Sequence, residues 1–288
     1  MPFVNLKTIL APAYAEGYAV GAFNVINLNF LEAIVAAAEQ KKSPVILNVA
    51  EVHFEFVTIE HIVPAIKAIS EQSTVEIVLN LDHGLTRAAM QRCIANGFSS
   101  IMFDGSALDL AENICQTREV VQLCQPHNIS VEAELGAVGG AEGGGLVGSA
   151  DPAKYTDIEQ AKIFVAETGV DALAVAIGNS HGQYKGIPNL DFERLAAIRD
   201  VTGVPLVLHG GSGLSEQDFR TAISLGISKI NFFTGMSQAA LEATRDYLRE
   251  DRQIYNDYTL MLEQVKNRVT EVVARQMEIF GSVGKARP

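Results

Sequence analysis

Three of the six histidines in this 288-residue chain share one local setting. His83 closes the run EIVLNLDH, His181 follows ALAVAIGNS, and His209 ends PLVLH, so each imidazole comes at or just after a short apolar segment that reads as a strand. One such histidine alone reads most simply as a hydrogen-bonded core or rim residue. Three at the same topological position read as ligands: three imidazoles with a further position left open suit a catalytic zinc, which polarises an oxygen as a Lewis acid. Other chemically capable residues collect in the same places. Asp82 precedes His83, Asp104 follows SIMF, Glu132 and Glu134 lie in ISVEAEL, Asn179 and Ser180 precede His181, and Asn231 and Thr234 belong to KINFFT. Asp82, beside a candidate ligand, fits a general acid/base or an orienting carboxylate equally well. His53, His61 and His127 fall in helical or connecting segments and carry no assigned role, although His53 follows the second strand and could face the same mouth.

Bringing these residues together needs a scaffold that delivers the ends of many strands to one place. A helix-like stretch, a glycine and a short apolar strand recur around Gly97, Gly169, Gly203 and Gly226. Each glycine sits where a helix C-terminus favours a residue tolerant of positive φ, so these are helix-to-strand junctions. Strands are expected at 19–25, 44–49, 76–81, 100–103, 129–135, 172–177, 205–209 and 229–233, separated by amphipathic stretches such as NFLEAIVAAAEQ and DIEQAKIFVAE. Strand and helix alternating eight times with no break in composition predicts α/β architecture, a (β/α)8 TIM barrel formed by residues 1–288 as one domain. An extra N-terminal helix is expected in NLKTILAPAYAEGY and an appended C-terminal helix in YTLMLEQVKNRVTEVVARQMEIFG. In such a barrel the active residues lie at the C-terminal ends of the strands.

Composition narrows the partners. A net charge of −12 argues against nucleic acid, whose backbone rewards basic surfaces. The chain contains no apolar run of about 18 residues, and MPFVNLKTIL lacks a basic-then-apolar leader, so a cytoplasmic protein with no membrane partner is expected. Cys93, Cys115 and Cys124 are odd in number and lack metal spacing, which makes them core fillers.

Small residues point to an anion. After His209, the run Gly210, Gly211, Ser212, Gly213 lets backbone N–H groups approach a ligand, and the turn KINFFTG adds the Thr234 hydroxyl. The loops after strands seven and eight are where such barrels commonly bind phosphate. The stretch GAVGGAEGGGLVGSADP holds seven glycines and reads either as a mobile lid that carries Glu142 into the site on closing or as a surface insertion with an incidental glutamate.

In combination, LDHG at 81–84, MFDGSALDLAENI at 102–114, VEAELGAVGG at 131–140, LAVAIGNSHGQY at 173–184, LVLHGGSG at 206–213, KIN at 229–231 and the closing FGSVGKA resemble the class II, zinc-dependent aldolases that cleave ketose phosphates, the fructose- and tagatose-bisphosphate aldolase family, and most of all its tagatose-type branch. The resemblance runs essentially end to end. It implies that His83, His181 and His209 bind Zn2+, that Asp104 and Glu134 serve an alternate or second cation position, and that Asp82 is the acid/base for the hydroxyl at the cleaved bond. It also implies that Glu142 moves the proton on the three-carbon donor, and that Asn24, Gly182, Gly210, Gly211, Ser212, Asn231 and Thr234 hold dihydroxyacetone phosphate. Lys185 fits a cation near that phosphate or an ordinary surface lysine. A homodimer or homotetramer is implied as well, with which the long apolar face of the C-terminal helix is compatible.

Departures from the family pattern bear on the substrate. The DPR-like segment whose arginine grips a second phosphate corresponds here to Asn256, Asp257, Tyr258 and Thr259, and the serine-bearing turn after the second strand is Val49, Ala50, Glu51. Threonine cannot replace the cation, and an acidic residue in that turn would repel a phosphate. Phe233 stands where some fructose-type relatives have an acidic residue. The expected reaction joins dihydroxyacetone phosphate to an unphosphorylated sugar, sugar acid or semialdehyde. Cleavage of a ketose bisphosphate, Schiff-base chemistry on Lys229, a metal-dependent sugar-phosphate epimerase or isomerase, and a non-catalytic sugar-phosphate-binding protein are the alternatives.

Overall fold

The computed structural model describes residues 3–140, 151–182, 184, 186, 188–249 and 257–287. Eight parallel strands close on one another in sequence order: β1 (Val20–Asn24), β2 (Val45–Ala50), β3 (Ile77–Gly84), β4 (Ser100–Phe103), β5 (Ser130–Leu135), β6 (Ala172–Val175), β7 (Leu206–Leu208) and β8 (Ile227–Phe232). Helix α1 (Leu6–Glu16) precedes β1. The strands are followed in turn by α2 (Leu28–Lys41), α3 (Ile59–Gln72), α4 (Arg87–Asn96), α5 (Leu110–Cys124), α6 (Ile158–Thr168), α7 (Phe192–Thr202), α8 (Glu216–Ser224) and α9 (Thr234–Arg249), and α10 (Tyr258–Phe280) comes last. This is the expected TIM barrel with its two added helices. The strand ends differ from the expected ones by a few residues, and one difference matters: β3 continues through Asp82, His83 and Gly84.

The local reasons are visible in the caps. Gly97, Gly169 and Gly203 end α4, α6 and α7 in the left-handed region, where a residue without a Cβ is least strained, and the β-branched runs that follow then enter the sheet. Asn27, Thr86, Asp109, Asp157 and Asp191 each accept a backbone N–H at a helix start, so most of the strand-to-helix turns end on an N-cap.

Alternate residues of each strand face the barrel axis. Toward the strands' N-terminal ends the axis is filled by Val20, Ala22, Ile46, Val78, Met102, Ala172, Ala174 and Val207, and α1 closes this floor with Leu6, Ile9, Leu10 and Ala13. Further along the same strands, the same parity places Asn24, Asn48, Asn80, Asp82, Glu132, Glu134 and Asn231. The apolar floor thus gives way to a polar mouth. Outside the sheet, α10 packs against α2 and α9 and buries Val265, Val269, Val273, Met277 and Phe280. That apolar face is therefore used within the chain, which removes it as an argument for subunit assembly. No helix among the described residues is long and apolar enough to cross a membrane.

Leu10 is fully buried in the floor, far along the axis from the mouth. Leu10→Ala is expected to lower unfolding free energy by about 2–5 kcal/mol, the range for a core leucine cavity, as read from denaturant unfolding.

Candidate active site

The mouth is organised by an irregularity in β3. Consecutive strand residues point to opposite faces, so Asp82 and His83 should not both face inward. His83 adopts φ +44, in the left-handed region that a non-glycine residue enters only at a cost, and the β3–β4 register shifts between Leu81 and Gly84. The twist turns the imidazole back over the barrel, beside the carboxylate that precedes it.

Three imidazoles then converge. His83 comes from the end of β3, His209 directly follows β7, and His181 arrives on the loop after β6, where its N–H donates to the Gly139 carbonyl at 2.7 Å. Ring centroids lie 4.6 Å (His83–His209), 5.0 Å (His83–His181) and 5.8 Å (His181–His209) apart. Their ligand-capable nitrogens all fall within 4.8 Å of one another, and His83 also shares a second such group with Asp104 and Glu134. Burial, with the positive charge of His83, pushes His181 down to about 4. Complete burial, then the charges of His83 and Lys229, hold His209 well below its ordinary value. Both rings are neutral at pH 7, as ligands must be.

The carboxylates divide by environment. Burial alone would raise Asp104, but its 2.8 Å hydrogen bond from His83 Nδ1, the charge of that ring and the hydrogen bond from Ser106 hold it well below the usual range. Glu134 is pushed up to about 8, first by burial and then by the charge of Asp104, and its Oε2 is buried with no hydrogen-bond partner among the described residues. Asp82 is fully buried and held by two amides: Asn24 Nδ2 donates to Oδ2 at 3.2 Å and Asn231 Nδ2 to Oδ1 at 2.8 Å.

A charged pair lies beneath. Glu132 Oε1 accepts from His209 Nε2 at 2.9 Å, and Glu132 Oε2 lies 2.8 Å from Lys229 Nζ, which also donates to Asn231 Oδ1 at 2.7 Å. Glu132 and Lys229 are both fully buried. Their pairing was not apparent from sequence, although Glu132 and Glu134 alternate with the apolar Val131, Ala133 and Leu135, a signal of inward-facing charge. Lys229 is thereby engaged by two partners.

The loops after β6 and β7 are tied together by Tyr184 and Asn179. Tyr184 Oη accepts from the Ser180 N–H and donates to the Gly210 carbonyl, both at 2.9 Å, and Asn179 Nδ2 donates to the His209 carbonyl at 3.0 Å. Gly210 has φ +67, and a Cβ there would run into the Ser180 carbonyl oxygen. A small pocket of about 20 Å³ opens beside these loops, lined by Asn24, His181, Gly182, Gly210, Gly211, Ser212, Asn231, Phe233 and Thr234. No lysine or arginine is among these residues. Thr234 begins α9, and Ser212 Oγ accepts from the Gly235 N–H at 3.1 Å. Glu142 and Lys185 lie outside the described residues. Glu51, expected to face a phosphate, instead accepts from the Leu85 and Thr86 N–H groups at 2.6 and 3.1 Å and from the Thr86 hydroxyl at 2.7 Å. Its carboxylate secures the loop after β3.

A closed parallel barrel with imidazoles, carboxylates and glycine-rich turns gathered at the C-terminal ends of its strands defines a TIM-barrel enzyme with a candidate metal centre. The chain belongs to the class II fructose-bisphosphate aldolase family, whose sequence profile matches residues 4–285. The 6-phospho-5-dehydro-2-deoxy-D-gluconate aldolase of Halalkalibacterium halodurans is 42% identical over 291 residues, spanning 100% of this chain and 99% of that protein. A probable fructose-bisphosphate aldolase of Bacillus subtilis is 40% identical over 289 residues, spanning 99% of this chain and 100% of that protein. The crystal structure of the YdjI aldolase from Escherichia coli K12 superposes with a TM-score of 0.88 at 36% identity, covering 99% of this chain and 100% of that one. The protein is thus an aldolase, a carbon–carbon lyase of a family that is generally metal-dependent.

Two outcomes follow from the buried charges. Glu132→Ala strands the Lys229 ammonium and is expected to cost about 3–5 kcal/mol, whereas Glu132→Ala with Lys229→Met recovers most of that loss; unfolding of chelator-treated protein reads both. His181 is at about 4 when folded against 6.5 ordinarily. Between those values the unfolded chain binds a proton that the folded one refuses, so metal-free protein loses stability as pH falls from about 6.5 to about 4. His181→Ala is expected to flatten that slope in a series of denaturation curves.

Proposed function

We propose that the protein is a zinc-dependent aldolase that reversibly joins dihydroxyacetone phosphate to an aldehyde carrying no phosphate. The observation that carries this reading is the convergence of His83, His181 and His209 beside a carboxylate, Asp82, that two amides hold in place. The donor set fits a metal: three nitrogen ligands suit zinc, and the unpartnered, buried Glu134 oxygen near His83 and Asp104 suits an alternate or second cation. When bound, the cation supplies Lewis-acid stabilisation of the negative charge that cleavage leaves on the donor fragment.

The chain's own groups do the rest. Asp82, fixed by Asn24 and Asn231, takes the proton from the hydroxyl on the carbon that becomes the aldehyde and returns it on condensation. Backbone N–H groups at Gly210, Gly211 and Ser212, with Thr234 at the start of α9, hold the donor phosphate. Gly182, Asn24 and Asn231 line the donor's position. Glu142, by the family pattern, transfers the donor's carbon-bound proton, and Lys185, from its place in HGQYK, supplies a cation to the phosphate. Assembly as a homodimer or homotetramer, and a cytoplasmic setting, are part of the same proposal.

The unphosphorylated partner is supported by the stretch after residue 256, where Asp257 caps α10 by accepting from the Thr259 N–H at 2.8 Å and Thr259 supplies no cation. Glu51 keeps its charge but is held against the loop after β3 by uncharged donors. The relatives' name points the same way: in a 6-phospho-5-dehydro-2-deoxy-gluconate, phosphate and ketone belong to one three-carbon half and the other half ends in a carboxylate. A ketose-bisphosphate reaction is the second reading, favoured by the Bacillus subtilis relative.

Chelation is expected to abolish cleavage and zinc to restore it, while borohydride traps no substrate adduct. In the restored enzyme, kcat/KM for a ketose 1-phosphate or for the 6-phospho-5-keto-2-deoxy acid should exceed that for fructose or tagatose bisphosphate by ~10-fold or more, a difference of about 1.4 kcal/mol; a preference for either bisphosphate overturns the reading. Asp82→Ala is expected to lower kcat about 10²- to 10⁴-fold, with dihydroxyacetone phosphate binding little changed.

A further inference from the structure

His53 has no part in the chemistry above, yet it lies against the cavity wall. Strands β2 and β3 pair in register up to Ala50 and Asp82, so the chain leaving β2 passes beside the carboxylate at the cleaved bond. The donor's phosphate occupies the turns after β7 and β8, and His181 covers the side of β6. The remaining sector of the mouth, from β1 to β3, is where the aldehyde half extends. There β2 gives way to a single turn, Glu51–His53, which Glu51 pins to the loop after β3.

His53 is 7% exposed and its ring lies 5.0 Å from that of Phe233, which itself lines the pocket with Asn231 and Thr234. Its Nδ1 is buried with no hydrogen-bond partner among the described residues. Buried polar atoms are almost always paired, and leaving one unpaired costs about 1–3 kcal/mol. A purely packing role against Phe233 would be filled at lower cost by a hydrocarbon ring. Burial lowers the ring's pKa while the charge of Asp82 raises it, so the imidazole is within the electrostatic reach of the acid/base carboxylate. Rotation about Cβ–Cγ interchanges Nδ1 and Cδ2 within one ring plane, so a nitrogen can be offered on either edge.

We propose that His53 is a specificity-determining residue whose imidazole hydrogen-bonds an oxygen at the distal end of the aldehyde fragment. The proposal rests on the reading of an unphosphorylated aldehyde. A single imidazole beside a phenyl ring satisfies a hydroxyl or one carboxylate oxygen, and it cannot match the donor count of a phosphate-binding turn.

The test condenses dihydroxyacetone phosphate with propanal, glyceraldehyde, 3-oxopropanoate and glyceraldehyde 3-phosphate, using the zinc-loaded wild type, His53→Phe and His53→Gln. His53→Phe keeps the ring packing and removes both nitrogens. It is expected to lower kcat/KM for glyceraldehyde or 3-oxopropanoate about 10- to 100-fold, leave propanal and the KM for dihydroxyacetone phosphate within about 3-fold, and be partly rescued in His53→Gln. Whichever of the two substrates loses more identifies the distal group as hydroxyl or carboxylate. Equal losses for all aldehydes, or no loss for any, overturn the assignment of His53. Preference of the wild type for glyceraldehyde 3-phosphate overturns instead the reading on which it rests. Thermal unfolding of both variants separates these outcomes from a folding defect, since His53→Gln retains a hydrogen-bonding group of similar reach.

Discussion

Asp82 and His83 are adjacent in the chain and adjacent in the site, and a regular strand cannot make them so. The left-handed backbone at His83 resolves the conflict at a cost of about 1–3 kcal/mol, which the surroundings must offset. Two contacts hold it from either side. The His83 ring donates to Asp104, and Glu51 fastens the next two backbone N–H groups after Gly84. Without that twist one of the pair would face the surrounding helices, and the imidazole cluster would lose its third member. The remaining parts of the mouth are placed around a feature of β3 that spans four residues.

The same mouth sets an electrostatic problem. Imidazoles that are to accept a cation must stay neutral, whereas the buried carboxylates Asp82, Asp104 and Glu134 favour positive charge nearby. Lys229 and Glu132 address both sides. The ammonium below opposes protonation of His209, and the carboxylate between them neutralises the ammonium while receiving the His209 Nε2 proton. That hydrogen bond fixes the tautomer and leaves Nδ1 turned toward His83, 2.9 Å from its Nε2. A divalent ion at the cluster would offset the surplus negative charge that the chain itself leaves there.

The barrel was legible in the sequence because its signals are local. Glycine caps, short β-branched runs and amphipathic helices each depend on a few neighbouring residues, and their alternation was enough to place all eight strands within a few residues. The histidines were legible as a set because each sits at the same end of a strand. What escaped depends on pairing across the barrel. Glu132 and Lys229 are far apart in sequence, Tyr184 acts by joining two loops, His53 gains its meaning only from Phe233 on the other side of β1, and the kink at His83 lies in a register that a single sequence does not display. The C-terminal helix was misjudged for the same reason: its apolar face is already covered by α2 and α9. Glu142 and Lys185 fall outside the described residues; the first stands on the family pattern alone and the second on its place in HGQYK.

The two halves of the mouth differ in how they can change. The donor side is made of backbone: at Gly210 the approach of the Ser180 carbonyl leaves no room for a side chain, and an anion there is met by N–H groups whose positions the strands dictate. Such a surface cannot be retuned by substitution without moving His181 and His209. The aldehyde side is made of side chains carried on the turn after β2, and that turn is anchored through Glu51 by its own edge. On the proposed reading, replacing His53 would alter the wall that an aldehyde meets while leaving Asp82 and its two amides untouched. On the proposed reaction, such a barrel would keep one three-carbon donor and let the partner vary, with substrate choice set by the turn after β2, apart from the turns after β7 and β8.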